Sequence, residues 1–142
     1  MRSKIVLIAL QEDGWIKSLS TFLHHLGYRV ETAKQVGEVI RKVRREPIHV
    51  VILEDEMEEV MAADLIPIFK RMDERIQIIV LSSEVSLGLI KRLREAGIFY
   101  QAMKPVDLQE IRSAVECAFM KIEQENLKES YHPFLIPGRV LA

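Results

Sequence analysis

The stretch that decides the fold of this chain is His49-Val-Val-Ile-Leu53, which is followed directly by Glu54-Asp-Glu56. Four consecutive aliphatic residues, three of them β-branched, are typical of a short strand that is buried on both faces. Such strands belong to parallel sheets, because the crossover helices of a parallel sheet cover both of its faces. The acidic triplet follows the end of this strand, so a functional site with polar side chains is expected there.

Four other apolar runs resemble this one, and longer amphipathic segments separate them. These strand candidates lie at residues 4–9, 28–33, 76–81 and 98–103. The intervening segments carry apolar residues at helical spacing, for example Leu19, Leu23 and Leu26. Strand and helix alternate five times, which predicts right-handed crossovers with helices on both faces of one sheet. In the third helical segment, Pro67 predicts a late start or a kink.

The predicted fold is a three-layer α/β domain, doubly wound as (βα)5, with the flavodoxin-like parallel strand order 2-1-3-4-5. Such sheets place their functional sites at the carboxyl ends of the strands. We expect residues 1–123 to form this domain and residues 124–142 to form a C-terminal helix extension and an apolar tail. The segment 130–142 is rich in apolar residues and holds two prolines, so it is expected to be either a flexible or back-packed tail or a docking segment.

Charge and cysteine content exclude several classes of function. The 142 residues include 20 Lys and Arg against 21 Asp and Glu, so no overall field attracts nucleic acid or an acidic membrane. No stretch approaches the ~18 apolar residues that a membrane span needs. Cys117 is the only cysteine, which excludes an internal disulfide and fits a reducing compartment. We therefore expect a cytoplasmic protein that binds neither nucleic acid nor membrane directly.

Polar side chains follow four of the predicted strands. Gln11-Glu-Asp13 follows the first strand, and Glu54 follows the third. Ser82 follows the fourth strand, and Lys104-Pro105 follows the fifth. This set resembles the receiver domains of two-component response regulators, and the similarity spans residues 4–122. The other matching features are Leu26-Gly27-Tyr28, Met57 and Gly97.

The resemblance implies a phosphorylation site made of particular groups. In the family, two acidic residues hold Mg²⁺, an aspartate accepts the phosphoryl group, and a hydroxyl and a lysine bind its oxygens. In this sequence the acidic pair falls on Leu10 and Gln11, and the acceptor falls on Glu54. The hydroxyl falls on Ser82 and the lysine on Lys104.

Half of that catalytic set is therefore missing. Mg²⁺ prefers carboxylate oxygens, whereas Leu10 offers no oxygen and Gln11 offers only a neutral carbonyl. Without the metal ion, nothing neutralises the charge of a transferring phosphoryl group. Glu54 is also one methylene longer than aspartate, which displaces the attacking oxygen by about 1 Å. We therefore expect no phosphorylation, no cofactor, no catalytic residue and no enzymatic activity.

The retained residues predict an ion pair at the edge of the sheet. Lys104 stands at a partly buried strand end, where an ammonium group is costly unless it is paired. Glu54 is expected to reach it, with Ser82 offering its hydroxyl to the carboxylate. One hypothesis is that Glu54 stands where a phosphoaspartate would and holds the domain in one state. The other is a structural ion pair left in a degenerate pocket. The remaining pocket residues are Gln11, Glu12 and Pro105.

Two alternatives stay open. In the first, Asp55 is the acceptor and Glu12 or Asp13 supplies metal ligands, so the domain remains competent for phosphorylation. That alternative needs a bulge in the third strand, because period-two alternation points Asp55 away from the side of Glu54. In the second, the fold binds a nucleotide or a flavin, although the acidic segment 11–13 is a poor phosphate loop.

The resemblance also implies a protein partner, which would be a histidine kinase, an output domain or another regulator. A homodimer through helix 4, strand 5 and helix 5 is a further expectation. On this surface the aromatic switch position of the family falls on Gln101, beside Tyr100. The other interface candidates are Leu87 and Leu89. At least one of these leucines is expected to be exposed, because other apolar residues of the same helix suffice for the core.

Overall fold

A computed structural model of the chain describes residues 3–135 and the side chains of residues 3–129. Among these residues, the strands in chain order are β1 (Ile5–Ala9), β2 (Arg29–Ala33), β3 (Val50–Glu54), β4 (Glu56–Met57), β5 (Val60–Met61), β6 (Gln77–Ser82) and β7 (Tyr100–Met103). The helices are α1 (Asp13–His25), α2 (Val36–Arg45), α3 (Ala62–Met72), α4 (Leu87–Ala96) and α5 (Leu108–Leu135).

The five longer strands form one parallel sheet in the order β2-β1-β3-β6-β7, and β4 pairs with β5 in a separate antiparallel hairpin. This confirms the predicted order 2-1-3-4-5, because β6 and β7 are the fourth and fifth strands once the hairpin is set aside. Alternate residues of β1 point to opposite faces of the sheet. Ile5 and Leu7 pack on the side of α2, α3 and α4, whereas Val6 and Ile8 pack on the side of α1 and α5. The three-layer, flavodoxin-like α/β fold is therefore confirmed.

Helix α3 runs through Pro67. The helix begins at Ala62, five residues before the proline, so the predicted late start is wrong. Leu65, Ile66 and Phe69 are buried around the proline, while Pro67 itself is exposed. Burial of this apolar face offsets the backbone hydrogen bond that proline cannot donate. A kink at Pro67 stays a prediction.

The β4–β5 hairpin is a feature that the sequence did not predict. Its two turn residues, Glu58 and Glu59, have φ values of 51° and 67°, in the left-handed region. Two-residue hairpin turns of this kind usually contain Asn-Gly or Asp-Gly, because residues other than Gly, Asn and Asp are strained in the left-handed region. The Glu58 carboxylate accepts a hydrogen bond of 2.6 Å from the backbone N–H of Val36, the first residue of α2. A negative charge at a helix N-terminus is stabilising, and this contact partly offsets the strain.

Helix α5 continues to Leu135, well beyond Ile122, the last buried apolar residue among the side chains described up to residue 129. Residues 130–135 are therefore helical and belong to α5, although the sequence pattern placed them in the tail segment 130–142. Arg75 holds the extension, since its Nη1 donates to Asn126 Oδ1 at 3.2 Å and to Glu129 Oε1 at 3.4 Å. The docking role predicted for residues 130–142 lies outside the described side chains. Among residues 3–135, no helix combines the length and the apolar character that crossing a membrane requires.

His49 joins three elements at the amino ends of the strands. Its Nδ1 accepts a 3.1 Å hydrogen bond from the backbone N–H of Ile5, and its ring lies 5.5 Å from that of Phe119. Burial lowers the pKa of His49 from its usual 6.5, although the nearby Asp73 carboxylate opposes the shift. The hydrogen bond from Ile5 also requires an unprotonated Nδ1. The folded protein therefore keeps this imidazole neutral at a pH where the unfolded chain begins to bind a proton.

We expect the free energy of unfolding to fall as the pH is lowered from 7 to 5.5, because the unfolded chain gains a proton at His49 before the folded protein does. The slope from one group reaches at most about 1.4 kcal/mol per pH unit. His49→Asn keeps an acceptor at the Nδ1 position without titrating, so it should flatten this slope. Urea denaturation across the pH range measures the effect, with His24→Asn as the exposed control. Equal slopes for the wild type and His49→Asn would contradict it.

Candidate functional site

The carboxyl ends of β1, β3, β6 and β7 meet at one edge of the sheet. Glu54 is the last residue of β3, and Ser82 is the last residue of β6. Leu10 and Gln11 follow β1, and Lys104 follows β7. The topology therefore brings together the strand-end residues that the sequence singled out.

The Glu54 carboxylate is held by two donors. Its Oε2 accepts a hydrogen bond of 2.6 Å from Lys104 Nζ, and its Oε1 accepts one of 2.6 Å from the backbone N–H of Gln11. The Glu54 side chain is 13% exposed and that of Lys104 is 27% exposed, so the pair is partly withdrawn from water. The predicted Glu54–Lys104 ion pair is confirmed. The Gln11 backbone donor was not predicted, because a main-chain N–H leaves no signal in the residue type.

Ser82 does not contribute to this ion pair. Within the described part of the chain, its hydroxyl has no hydrogen bond to Glu54 and instead accepts one of 3.1 Å from Gln101 Nε2. The register explains the correction: Glu54 pairs with Leu81, so the side chain of Ser82 points to the opposite face of the sheet. Gln101 pairs with Val80, which lies on the same face as Ser82.

The contact between Gln101 and Ser82 satisfies a fully buried hydroxyl. Sequence reasoning placed both residues at the site but did not pair them. The available signal was chemical: a serine at a buried strand end needs a partner, and Gln101 is the polar side chain on the neighbouring strand. The backbone N–H of Lys104 also donates to the Ser82 carbonyl at 2.8 Å, which extends the pairing of β6 and β7 by one residue. Pro105 follows Lys104 through a cis peptide bond and is exposed.

The residues at this edge do not fit a divalent cation. Leu10 is buried and apolar, and the group that faces Glu54 from the same loop is the N–H of Gln11, which repels a cation. The ammonium group of Lys104 already neutralises the Glu54 carboxylate, a role that a bound cation would otherwise have. Glu12 lines the same small cavity, but among the described residues no three His, Cys, Asp or Glu side chains cluster to hold a metal ion. Asp13 is turned away, toward Lys34, at 2.8 Å.

Asp55 is placed outside this ion pair by the regularity of β3. The strand pairs with β6 in unbroken register from Val50 to Glu54, without the bulge that the alternative acceptor requires. The backbone N–H of Asp55 donates to the Leu81 carbonyl at 3.0 Å, and its carbonyl accepts from Ala62 N–H at 2.8 Å. Period-two alternation therefore directs the Asp55 side chain to the face opposite Glu54.

On the surface of α4 and β7, the exposed leucine is Leu87, with 87% of its surface accessible. Leu89 is 5% exposed and belongs to the core, so its expected role at the interface is wrong. The phase of the helix explains this, because Ser86 caps it by accepting a hydrogen bond from Leu89 N–H at 3.1 Å. Leu89 and Leu93, one turn apart, then share the buried face.

Tyr100 lies on β7, at the edge of the sheet. Its hydroxyl donates a 2.5 Å hydrogen bond to Glu110 of α5, and this bond raises the pKa of Tyr100. Leu87, Tyr100 and Met103 are exposed apolar residues on neighbouring elements. Gln101, the position of the switch aromatic, is half-buried and points to Ser82 rather than to solvent.

The sequence model of the response regulator receiver domain matches residues 6–116. This match covers most of the chain, and the chain therefore belongs to the response regulator receiver domain family. It is a receiver domain of two-component signalling.

Two curated relatives illustrate the range of proteins that carry such a domain. The DNA-binding transcriptional regulator NtrC of Azospirillum brasilense is 30% identical over 118 residues, which are 83% of this chain and 24% of that protein. Sporulation initiation phosphotransferase F of Bacillus subtilis (strain 168) is 25% identical over 116 residues, which are 82% of this chain and 94% of that protein. The chain thus spans about a quarter of the length of the first regulators it matches.

Solved structures share the same fold. A response regulator receiver domain protein (CheY-like) from Methanospirillum hungatei JF-1 has a TM-score of 0.82 at 21% identity, covering 87% of this chain and 98% of that one. The beryllofluoride-activated NtrC4 receiver domain dimer has a TM-score of 0.78 at 23% identity, covering 83% of this chain and 98% of that one. At these identities the likeness shows the fold alone.

Proposed function

We propose that this receiver domain acts by binding other proteins without being phosphorylated, and that Glu54 permanently supplies negative charge at the acceptor position. The observation that carries the proposal is the engagement of both Glu54 oxygens, by Lys104 Nζ and by the Gln11 N–H. In the receiver family the lysine after the fifth strand binds the phosphoryl group, whereas here Lys104 binds the Glu54 carboxylate. One carboxylate carries less charge than the ~1.5–2 of a phosphoryl group, so the mimicry is partial.

The same contacts argue against phosphoryl transfer. A carboxylate that accepts two short hydrogen bonds presents a poor nucleophile. Leu10 supplies no ligand for the metal ion that would neutralise the transferring group. The domain is accordingly proposed to have no enzymatic activity. Membership of the receiver family favours this signalling role over the binding of a nucleotide or flavin.

The proposed partner is a histidine kinase, an output domain or another regulator. Leu87, Tyr100 and Met103 form the exposed apolar part of the α4–β7 surface that would meet it. The same surface is a proposed homodimer contact through α4, β7 and α5. We further propose a cytoplasmic location and a division into a receiver domain at residues 1–123 and an extension at residues 124–142.

The absence of phosphorylation can be tested by incubating the protein with acetyl phosphate and Mg²⁺ and measuring its intact mass. We expect no gain of a phosphoryl group. The matched positive control is the triple variant Leu10→Asp/Gln11→Asp/Glu54→Asp, which restores the acidic set of the family and is expected to gain one group if it folds, as circular dichroism would show. A phosphoryl group on the wild-type chain would overturn the proposal, and peptide mapping to Asp55 would favour the alternative acceptor.

The role of the Glu54 charge has a separate readout in the amide NMR spectrum of the untreated protein. Glu54→Gln keeps the shape of the side chain and removes its charge. We expect this variant to shift amide resonances of α4 and β7, because it weakens the contact with Lys104 after β7. Glu56→Gln, in the neighbouring hairpin, is the control. Shifts confined to the immediate neighbours of residue 54 would show a merely structural ion pair.

A further inference from the structure

The outer side of α5 carries exposed apolar side chains. The inner side of this helix buries Ile111, Val115, Phe119 and other residues against the sheet. On the opposite side Met120 and Leu127 are each 57% exposed. They stand seven residues apart, so they lie on one stripe along the helix axis. Two large apolar side chains on one exposed stripe of a 28-residue helix indicate a surface that another element covers.

The spacing along this stripe is that of a coiled coil. Cys117, Met120, Gln124 and Leu127 follow one another at intervals of three, four and three, and all four are exposed. This is the alternation of a and d positions in a heptad, with Cys117 and Gln124 at a and Met120 and Leu127 at d. A polar residue at one a position, here Gln124, sets the register of such pairs at some cost in stability. In the sequence, the same spacing continues at residues 131 and 134, which are Tyr131 and Phe134.

The charges that flank the stripe are complementary between two parallel helices. Glu116 and Glu123 occupy g positions, and Lys121 and Lys128 occupy e positions. In a parallel pair each g residue lies near the e residue five positions later in the partner, which joins Glu116 to Lys121 and Glu123 to Lys128. In an antiparallel pair, g would face g and e would face e, so like charges would meet. The pattern therefore selects a parallel arrangement.

The contacts that Glu116 and Glu123 make within the chain do not prevent these side chains from pairing with a second chain. Glu116 accepts from Arg112 at 3.3 Å and Glu123 lies 3.8 Å from Lys4, and all these side chains are largely exposed. Such surface pairs contribute little, so exchanging them for contacts with a partner costs little. Arg75 holds the extension by Asn126 and Glu129, which are not at a or d positions. These contacts hold the C-terminal part of α5 in place and leave the stripe residues exposed.

We propose that the outer face of α5 binds a second copy of this chain as a parallel two-stranded coiled coil, with Cys117, Met120, Gln124 and Leu127 at its seam. This coiled coil is a different homodimer contact from the one through α4, β7 and α5, and a Leu87→Lys variant distinguishes the two. It does not depend on Glu54, so the pairing can be tested independently of the proposed function.

Cys117 provides a direct test. In the parallel arrangement the two copies of an a residue face each other across the axis, so mild oxidation with copper phenanthroline and dioxygen should join two full-length chains through Cys117. Met120→Lys/Leu127→Lys is expected to lower the rate of cross-linking about tenfold or more, because two ammonium groups would enter the apolar seam. Both positions are exposed, so the variant should fold. Met72→Lys, at an exposed methionine of α3, is the matched control and should cross-link as the wild type does.

The charge pattern gives the second arm of the test. Glu123→Lys and Lys128→Glu, each made alone, place like charges opposite each other and should slow cross-linking and weaken dimers in analytical ultracentrifugation. The double variant restores opposite charges and should recover both. A chain that sediments as a monomer at high concentration, or a double variant that does not recover, would overturn the proposal. Dimers dissolved by Leu87→Lys but not by the Met120/Leu127 variant would place the contact on α4 and β7 instead.

Discussion

Replacing Phe119 by alanine is expected to lower the free energy of unfolding by about 3–5 kcal/mol. Phe119 is 1% exposed, and its side chain packs α5 against the amino ends of the strands. Its ring stacks on Tyr28 at 5.4 Å with an interplanar angle of 16° and lies 5.5 Å from the ring of His49. Lys4 Nζ lies 5.5 Å from the centre of the same ring. The substitution would leave a cavity bounded by residues from several elements, which cannot all collapse into it.

Urea denaturation followed by circular dichroism measures this loss. The matched control is the neighbouring residue, since Met120→Ala removes a large apolar side chain from the exposed side of the same helix. We expect that variant to change the free energy of unfolding by less than about 0.5 kcal/mol in the monomer. A similar loss for both variants would mean that helix propensity, rather than packing against the strands, determines the effect.

Replacing Lys104 by methionine is expected to cost about 2 kcal/mol. The change removes the ammonium group that pairs with Glu54 at 2.6 Å and leaves a largely buried carboxylate with only the Gln11 N–H as a donor. Removing one member of a fully buried pair costs about 3–5 kcal/mol, and the partial exposure of Lys104 reduces that figure here. Because the penalty arises from the stranded carboxylate, Glu54→Gln combined with Lys104→Met should recover most of the loss.

A double-mutant cycle in urea measures the coupling between the two side chains. Lys34→Met is the matched control, because Lys34 and Asp13 are also paired, at 2.8 Å, with both side chains more than half exposed. That pair should contribute less than about 1 kcal/mol. Additive effects in the Glu54/Lys104 cycle would show that the two groups are not coupled, and would weaken the proposed role of Glu54.

Much of the fold was predictable from the pattern of apolar residues. Runs such as residues 50–53 indicated buried parallel strands, and the helical spacing between the runs led to the observed sheet order. The Glu54–Lys104 pair followed from the same reasoning, because the carboxyl ends of parallel strands meet at one edge. These predictions depend on residue type and on the order of the elements, and both can be read directly from the amino-acid sequence.

The contacts that were not predicted depend on register and helix phase. Ser82 binds Gln101 rather than Glu54 because pairing with β7 places both polar side chains on one face. Leu89 is buried because the cap at Ser86 determines where α4 begins. A shift of one residue in either element would reverse these outcomes, and residue type alone does not specify that shift.

The turn at Glu58 and Glu59 is the clearest example of a feature that residue type alone does not predict. Neither residue type favours the left-handed region, and the Asn-Gly or Asp-Gly signal of such a turn is missing. The contact that supports it joins Glu58 to the N-terminus of α2, 22 residues earlier in the chain. Patterning along the chain therefore determined the layers, the strand order and the ion pair. Interactions between distant segments decided which face each polar side chain occupies, because burial and hydrogen bonding become specific only when those segments meet.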